Sequence, residues 1–377
     1  MLKNMLKRIY NLETLVKPGK VLIVYGPRRS GKTTLLKDYL SKTKLKYKLD
    51  SGDNIKTQQI LSSQDFSQIL EYVAGYDLLA IDEAQHIPNI GMGLKILVDQ
   101  KPKLKIIATG SSSFDLAQKT SEPLTGRKRI ITLYPFSQVE LLEKYNRYEL
   151  KENLEKFLVF GSYPEVELAK SNKEKTIVLG EIATSYLLKD ILSIERIKGP
   201  RQLWDLLKLI SFQIGNEVSL NELATQVQLD VKTVNRYLDI LEKAFVIKKI
   251  TGFSRNLRKE TSKKAKYYFL DNGIRNAVID QLNPLDSRDD VGALFENFLA
   301  SERIKANTLK NRLGPAYFWR TYDGQEIDWV EERQGKLFGF EFKWSTKPKA
   351  KAPKDWGKYK NSKYQTISRE NYLDFLL

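Results

Sequence analysis

A chain of 377 residues with 41% hydrophobic and 29% charged side chains is long enough for about two or three domains and too apolar to be disordered throughout. Sixty-three Lys and Arg against 46 Asp and Glu leave a formal net charge of +17, so polyanions are the expected partners. The absence of cysteine excludes disulfides, thiolate zinc sites and Cys nucleophiles, and a single histidine leaves almost no room for a His-built metal centre.

The charge is local. Residues 231–270 hold 11 Lys and Arg against Asp239, Glu242 and Glu260, and residues 343–363 hold eight Lys against Asp355 alone. The rest of the chain is nearly neutral, the pattern of a footprint for a phosphate backbone. The longest apolar runs, such as VLIVY at 21–25, fall far short of the ~18 residues that span a bilayer. The opening MLKNMLKRIYNLETL lacks the apolar stretch of a secretory signal, so residues 1–18 read as a basic helix or arm. The expectation is a cytoplasmic protein with no membrane contact.

Residues 19–137 read as a nucleotide-binding core. KVLIVYGPRRSGKTTLLKDYL is a buried strand, a glycine-bounded loop and a helix, with Gly26-x4-Gly31-Lys32-Thr33 at full P-loop spacing. Gly26, Pro27, Arg28, Arg29, Ser30 and Gly31 curl backbone N–H groups round phosphates. Lys32 neutralises the outer phosphates and Thr33 ligates Mg²⁺, with Thr34 the second candidate. YDLLAIDEAQ is a second apolar strand ending in two carboxylates: Asp82 to hold Mg²⁺ through water, Glu83 to polarise the attacking water. His86 just beyond is read as structural. LKIIATG ends in hydroxyls, of which Ser111 is the candidate sensor of the outer phosphate, with a helix N-cap as its alternative role. Arg127 and Arg129 precede a fifth strand, where Arg127 suits a finger reaching a neighbouring subunit's nucleotide.

GPRRSGKTT, LLAIDEAQHIP, IIATGSSS, LTGRKRIITLYPFS, GSYPEV at 161–166 and YLLKDIL at 186–192 follow one another as in prokaryotic AAA+-type ATPases joined to a restriction-endonuclease-like C-terminal domain, which this chain resembles. The resemblance implies an ASCE-type parallel sheet, ATP as the nucleotide, a helical lid and a ring of subunits, with a hexamer expected. It also places Pro164 of the GSYP turn near the base.

Residues 138–205 have apolar residues at three- and four-residue intervals and read as that lid. Residues 206–282 read as a winged helix. Ser219 and Glu222 form a capping box, VKTVNRYLDILEKAF is a second helix with Val234, Leu238 and Leu241 inward, and VIKKITG and KYYFLD flank a basic loop as a wing. Lys232, Asn235 and Arg236 face a DNA groove; Arg255, Arg258, Lys259, Lys263 and Lys264 face phosphates. A protein-contact module is the alternative for the same fold.

NPLDSRDD reads as a linker into a C-terminal domain, residues 283–377. VGALFENFLASERI is a helix carrying Glu296. GQEIDWVEE and KLFGFEFKWS pair round Gln334-Gly335, so that paired positions sum to 669 and Asp328 faces Glu341. Facing carboxylates need a positive charge between them, and a divalent metal supplies one. Asp-x12-Glu-x-Lys with a helical Glu upstream resembles restriction-endonuclease-like, Holliday-resolvase-like nucleases. On that resemblance Asp328 and Glu341 bind Mg²⁺, Lys343 positions water and Glu296 completes the site. A Glu326–Lys343 surface pair and a fold kept only to hold DNA stand as alternatives.

The expected fold class is thus α/β: a P-loop AAA+-type parallel sheet, a helical lid, a winged-helix module and a restriction-endonuclease-like α/β domain. The expected function is an ATP-hydrolysing, oligomeric motor on duplex or branched DNA, in branch migration or Holliday-junction processing, with Mg²⁺-dependent cleavage left open. The alternative is a nucleotide-dependent switch with the C-terminal domain as effector or partner dock.

Overall fold

The computed structural model describes residues 6–110, 123–187, 191, 199–254, 265–312, 314–346 and 351–377. Two compact units emerge, the first built chiefly from the chain up to Pro135 and the second from Phe136 onward, with Lys243–Phe245 returning to the first.

The first unit is a five-stranded parallel sheet in the order β2-β3-β4-β1-β5, formed by β1 (Val21–Tyr25), β2 (Tyr47–Ser51), β3 (Leu78–Asp82), β4 (Lys105–Gly110) and β5 (Lys128–Thr132). Every residue of VLIVY is buried, as a strand covered on both faces requires. Alternation sends Val21, Ile23 and Tyr25 into one core with Leu79, Ile81, Ile106 and Ala108. Leu22 and Val24 enter another with Leu78, Ala80 and Ile107. Helix α2 (Lys32–Lys42) closes the second core through Leu35, Leu36 and Leu40. Helices α3 (Ile55–Ser62), α4 (Phe66–Tyr72) and α5 (Ile90–Gln100) cover the first. The amino-terminal arm contributes a short helix α1 (Leu12–Leu15) whose Leu12 is buried with Val16.

The second unit surrounds a six-stranded mixed sheet in the order β11-β10-β9-β8-β6-β7. Its strands are β6 (Ile247–Gly252), β7 (Ala265–Phe269), β8 (Ala316–Arg320), β9 (Glu326–Arg333), β10 (Lys336–Phe342) and β11 (Ser362–Ile367). Helices α6 (Gln138–Leu141), α7 (Arg147–Glu152), α8 (Leu154–Phe160), α9 (Pro164–Leu168) and α10 (Asn172–Glu181) come first. They are followed by α11 (Pro200–Phe212), α12 (Leu220–Val227), α13 (Val231–Lys243), α14 (Asn272–Val278), α15 (Val291–Leu309) and α16 (Tyr372–Leu376).

Three features differ from the sequence reading. Strands β6 and β7 pair antiparallel, but the other edge of β6 is taken by β8 through Thr251↔Tyr317 and Gly252↔Phe318, so one sheet crosses the expected boundary at 282. The segment NPLDSRDD is packed rather than loose, because Asp290 holds the buried Arg275 at 2.5 Å and Arg288 at 2.7 Å. The expected lid is tied to the C-terminal region as well: Gln138 N donates to Glu302 at 2.6 Å, and Lys305 reaches the Phe136 carbonyl and Ser162 Oγ, each at 3.3 Å. Buried polar groups need such partners, and these bonds join the two segments.

Candidate functional site

In the first unit the carboxyl ends of β1, β4 and β3 lie side by side, with β4 between the glycine loop and the two acids. Gly26 and Gly31 have φ of 155° and 93°. A Cβ on Gly26 would stand 2.1 Å from the Leu133 carbonyl oxygen, so only glycine fits where β5 crowds the loop. Lys32 opens α2, is buried, and donates to the Gly26 and Pro27 carbonyls, each at 2.9 Å. Ser30 is buried, with an Oγ that has no hydrogen-bond partner. Arg8 of the amino-terminal arm donates to the carbonyls of Ser30 and Tyr134, bracing the loop from behind.

Thr33 Oγ1 donates to Asp82 Oδ2 at 2.8 Å, whereas Thr34 is exposed. The other oxygen of Asp82 accepts from Thr109 Oγ1, which in turn accepts from the Glu83 backbone N–H at 3.2 Å. One threonine at the end of β4 thus fixes both acids, a role the sequence reading did not give it. Glu83 sits in the left-handed region at φ 50°, and its carboxylate accepts from Gln85 Nε2 at 2.5 Å. His86 Nδ1 contacts Asp53 Oδ1 at 2.6 Å, a link between loops that fits its structural reading.

A hydroxyl and a carboxylate 2.8 Å apart at the mouth of a helix are hard oxygen donors of the kind Mg²⁺ takes, and the unpartnered Ser30 hydroxyl inside a glycine cradle suits a phosphate. Thr33 and Asp82 would hold the cation, which supplies charge neutralisation at the outer phosphates.

Arg127 lies before β5, at the amino end of the sheet, since Val21 pairs with Lys128 and Tyr25 with Thr132. Its Nε contacts Asp99 Oδ1 at 2.6 Å. It cannot serve the loop of its own chain. Ser111, Arg255, Arg258, Lys259, Lys263 and Lys264 lie outside the described residues.

Pro164 belongs to the second unit, as the first residue of α9. The turn before it is shaped by Asp271: Ser162 N donates to Asp271 Oδ2 at 2.8 Å, and a Cβ on Gly161 would lie 2.0 Å from Asp271 Oδ1. On α13, Val234, Leu238 and Leu241 are buried and Lys232 and Arg236 exposed, while Asn235 donates to Asp239 at 3.4 Å. Ser219 caps α12 by accepting from Glu222 N, but the Glu222 carboxylate accepts from Gln226, so half of the expected box forms.

The β9–β10 register is the expected one, Lys336↔Arg333 to Phe340↔Trp329, turning on Gln334 and Gly335 with φ of 50° and 72°. Asp328 Oδ2 accepts from the Phe342 N–H at 2.7 Å. An ammonium group lies among the carboxylates. Lys266 of β7, 1% exposed, reaches Glu326 Oε1 at 2.5 Å, Glu296 Oε1 at 3.3 Å and Asp328 Oδ1 at 3.8 Å. Tyr268 OH adds a bond to Glu296 at 2.7 Å. Burial and Asp328 push Glu296 up to about 8, and burial raises Asp328 and Glu341 also. Burial works against the charge on Lys266, yet Glu296, Asp328 and Glu326 together raise it well above its ordinary range. Lys343 pairs with Glu341 at 2.7 Å, not with Glu326. Among the described residues no group of three or more His, Cys, Asp or Glu is placed to hold a metal ion. The sequence could not reveal Lys266, because its partners are 30 to 62 positions away.

Comparisons with known proteins divide along the chain. Residues 18–142 match an AAA domain, 151–285 a domain of unknown function (DUF8612) and 291–372 another (DUF4143). The chain is 29% identical over 335 residues to the uncharacterized protein Rv2008c of Mycobacterium tuberculosis, covering 87% of this chain and 71% of that one. It is 26% identical over 367 residues to an uncharacterized protein of Haemophilus influenzae, covering 89% and 86%. Among solved structures it aligns with a signal transduction ATPase with numerous domains from Pyrococcus horikoshii at 16% identity and TM-score 0.28. That alignment covers 77% of this chain and 44% of the other. The AAA match coincides with the parallel sheet and its glycine loop, and no helix of the described residues is long and apolar enough to cross a membrane. The amino-terminal third is a P-loop ATPase domain of AAA type.

Proposed function

We propose that the chain is an ATP-hydrolysing switch in which the first unit binds and cleaves the nucleotide and the second is a dock for a partner. The observation that carries this reading is the bracket of Thr33, Asp82, Thr109 and Glu83 beside the glycine loop. Lys32 exchanges the carbonyls of Gly26 and Pro27 for phosphate oxygens, so loading the loop rearranges it. Glu83 leaves Gln85 to polarise the attacking water. Binding thus reshapes the loop and hydrolysis resets it, which are the two states a switch needs. Ring assembly, with Arg127 released from Asp99 to meet the neighbour's nucleotide, completes the reading. The pair it gives up is partly exposed and worth about 0–1 kcal/mol.

Cleavage of DNA is not part of this reading, because Lys266 already contacts Glu296 and Asp328, two residues of the expected nuclease set, together with Glu326 beside them. DNA handling remains the second reading, favoured by Lys232 and Arg236 exposed on α13 within the basic stretch 231–270. One experiment separates them: steady-state ATP turnover with and without duplex or four-way-junction DNA at about 0.1 M salt. A switch keeps the same slow turnover and retains its nucleotide. A motor is accelerated by DNA, which would overturn the first reading. Labelled junctions incubated with Mg²⁺, beside an Asp328→Ala control, are expected to remain uncut.

A further inference from the structure

The second unit contains a cavity of about 470 Å³ where α15, the β9–β10 hairpin, β11 and α16 meet. Four cationic side chains line it: Arg303 of α15, Arg312 just beyond that helix, Arg333 at the end of β9, and Lys363 of β11. Aromatic rings hold three of them. The Arg303 guanidinium lies 4.4 Å from the Phe375 ring, Arg333 lies 5.1 Å from Phe338, and Lys363 lies 5.9 Å from Phe338. Such contacts fix long side chains in place and lower the cost of ordering them round a ligand.

The local counter-charges fall short. Glu331 is bound by Arg303 at 2.8 and 3.0 Å, is contacted by Arg333, and also accepts from Trp329 and Asn307. Asp374 pairs with Arg147, and the backbone oxygens of Leu376 and Leu377 accept from Lys310. Arg312 and Lys363 are exposed and form no ion pair among the described residues. Burial, and then Arg303 and Arg312 close by, pulls Arg333 down to about 10. Crowded cations in a half-enclosed space are stabilised by an anion of more than one charge, which a single carboxylate does not provide. The volume falls in the range of small-ligand sites and is too small for a duplex.

We propose that this cavity binds the polyphosphate group of a small molecule, with Arg312, Arg333 and Lys363 donating to it and Arg303 fixing the charge behind them. Inorganic pyrophosphate and nucleoside polyphosphates share that chemistry.

The test is calorimetric titration of inorganic pyrophosphate, and separately of ATP, into the full chain carrying Lys32→Ala, so that the loop of the first unit does not contribute. The same titrations follow with Arg312→Ala and Lys363→Ala added. Both are surface changes, and an unshifted thermal melt verifies the fold. Pyrophosphate is expected to bind with a Kd below about 1 mM, and the added substitutions are expected to weaken it by at least about tenfold. Tighter binding of ATP than of pyrophosphate assigns the source as a nucleotide, and equal binding assigns it as the polyphosphate alone. No binding of either, or equal affinity in the two chains, would overturn the proposal. It stands or falls apart from the switch reading, which concerns the first unit.

Discussion

Asp82 spends both oxygens on threonines, Thr33 from the loop and Thr109 from the neighbouring strand, and Thr109 also receives the Glu83 amide. Glycine and lysine spacing made the loop legible, and two acids closing an apolar run made β3 legible. Thr109 was hidden because it acts through a sheet order that no local pattern states. Replacing Thr109 by Val removes both bonds while keeping the strand's shape, and should slow ATP turnover by roughly 10 to 100-fold with little change in nucleotide affinity. Steady-state kinetics checks this. In the second unit, Glu296 is raised from an ordinary 4.5 to about 8. Between those values the folded chain binds more protons than the unfolded one, so this group's contribution to stability is full below pH 4.5 and is lost as pH rises through 8. Glu296→Gln should flatten that part of the profile, measured as urea midpoints from pH 5 to 9. An unchanged slope would show that the carboxyl is already ionised. Lys266→Met should destabilise by about 3 to 5 kcal/mol, because Glu326 and Asp328 lose the cation they share and Glu296 loses a hydrogen-bond donor.

Hairpin β9–β10 shows what a short-range rule can give. A two-residue turn fixes the pairing, and the alternation follows from Lys336↔Arg333 to Phe340↔Trp329. Both turn residues have positive φ, and Gln334 is an unusual choice at 50°. Gln334→Asn should raise stability by a few tenths to about 1 kcal/mol, read as a higher thermal midpoint. Strands β6 and β7 teach the opposite lesson. Their mutual pairing is local, whereas the β6–β8 pairing joins Thr251 to Tyr317 across a helix of 19 residues, beyond the reach of any hairpin signal. That long-range pair is what turns an expected free wing into an interior strand.

For the molecule as a whole, composition foresaw more than one body, and the α/β class and the parallel sheet followed from two motifs. The number of bodies beyond the ATPase core was not legible. The polar stretch NPLDSRDD, read as a linker, is packed, because Asp290 is an internal partner of Arg275 and Arg288. Asn297 makes the same point, closing on both the amide and the carbonyl of Phe269. A chain lacking 283–377 should therefore leave 136–282 unfolded and open to proteolysis, where a separate winged-helix domain would survive. The central claim concerns chemistry at the glycine loop, and it is tested most directly by single-turnover release of phosphate from γ-labelled ATP with Mg²⁺, comparing the natural chain with Glu83→Gln. The natural chain should release phosphate. Glu83→Gln should hold ATP at full stoichiometry and release it at least about 100-fold more slowly, and equal release by the two proteins would contradict the assignment.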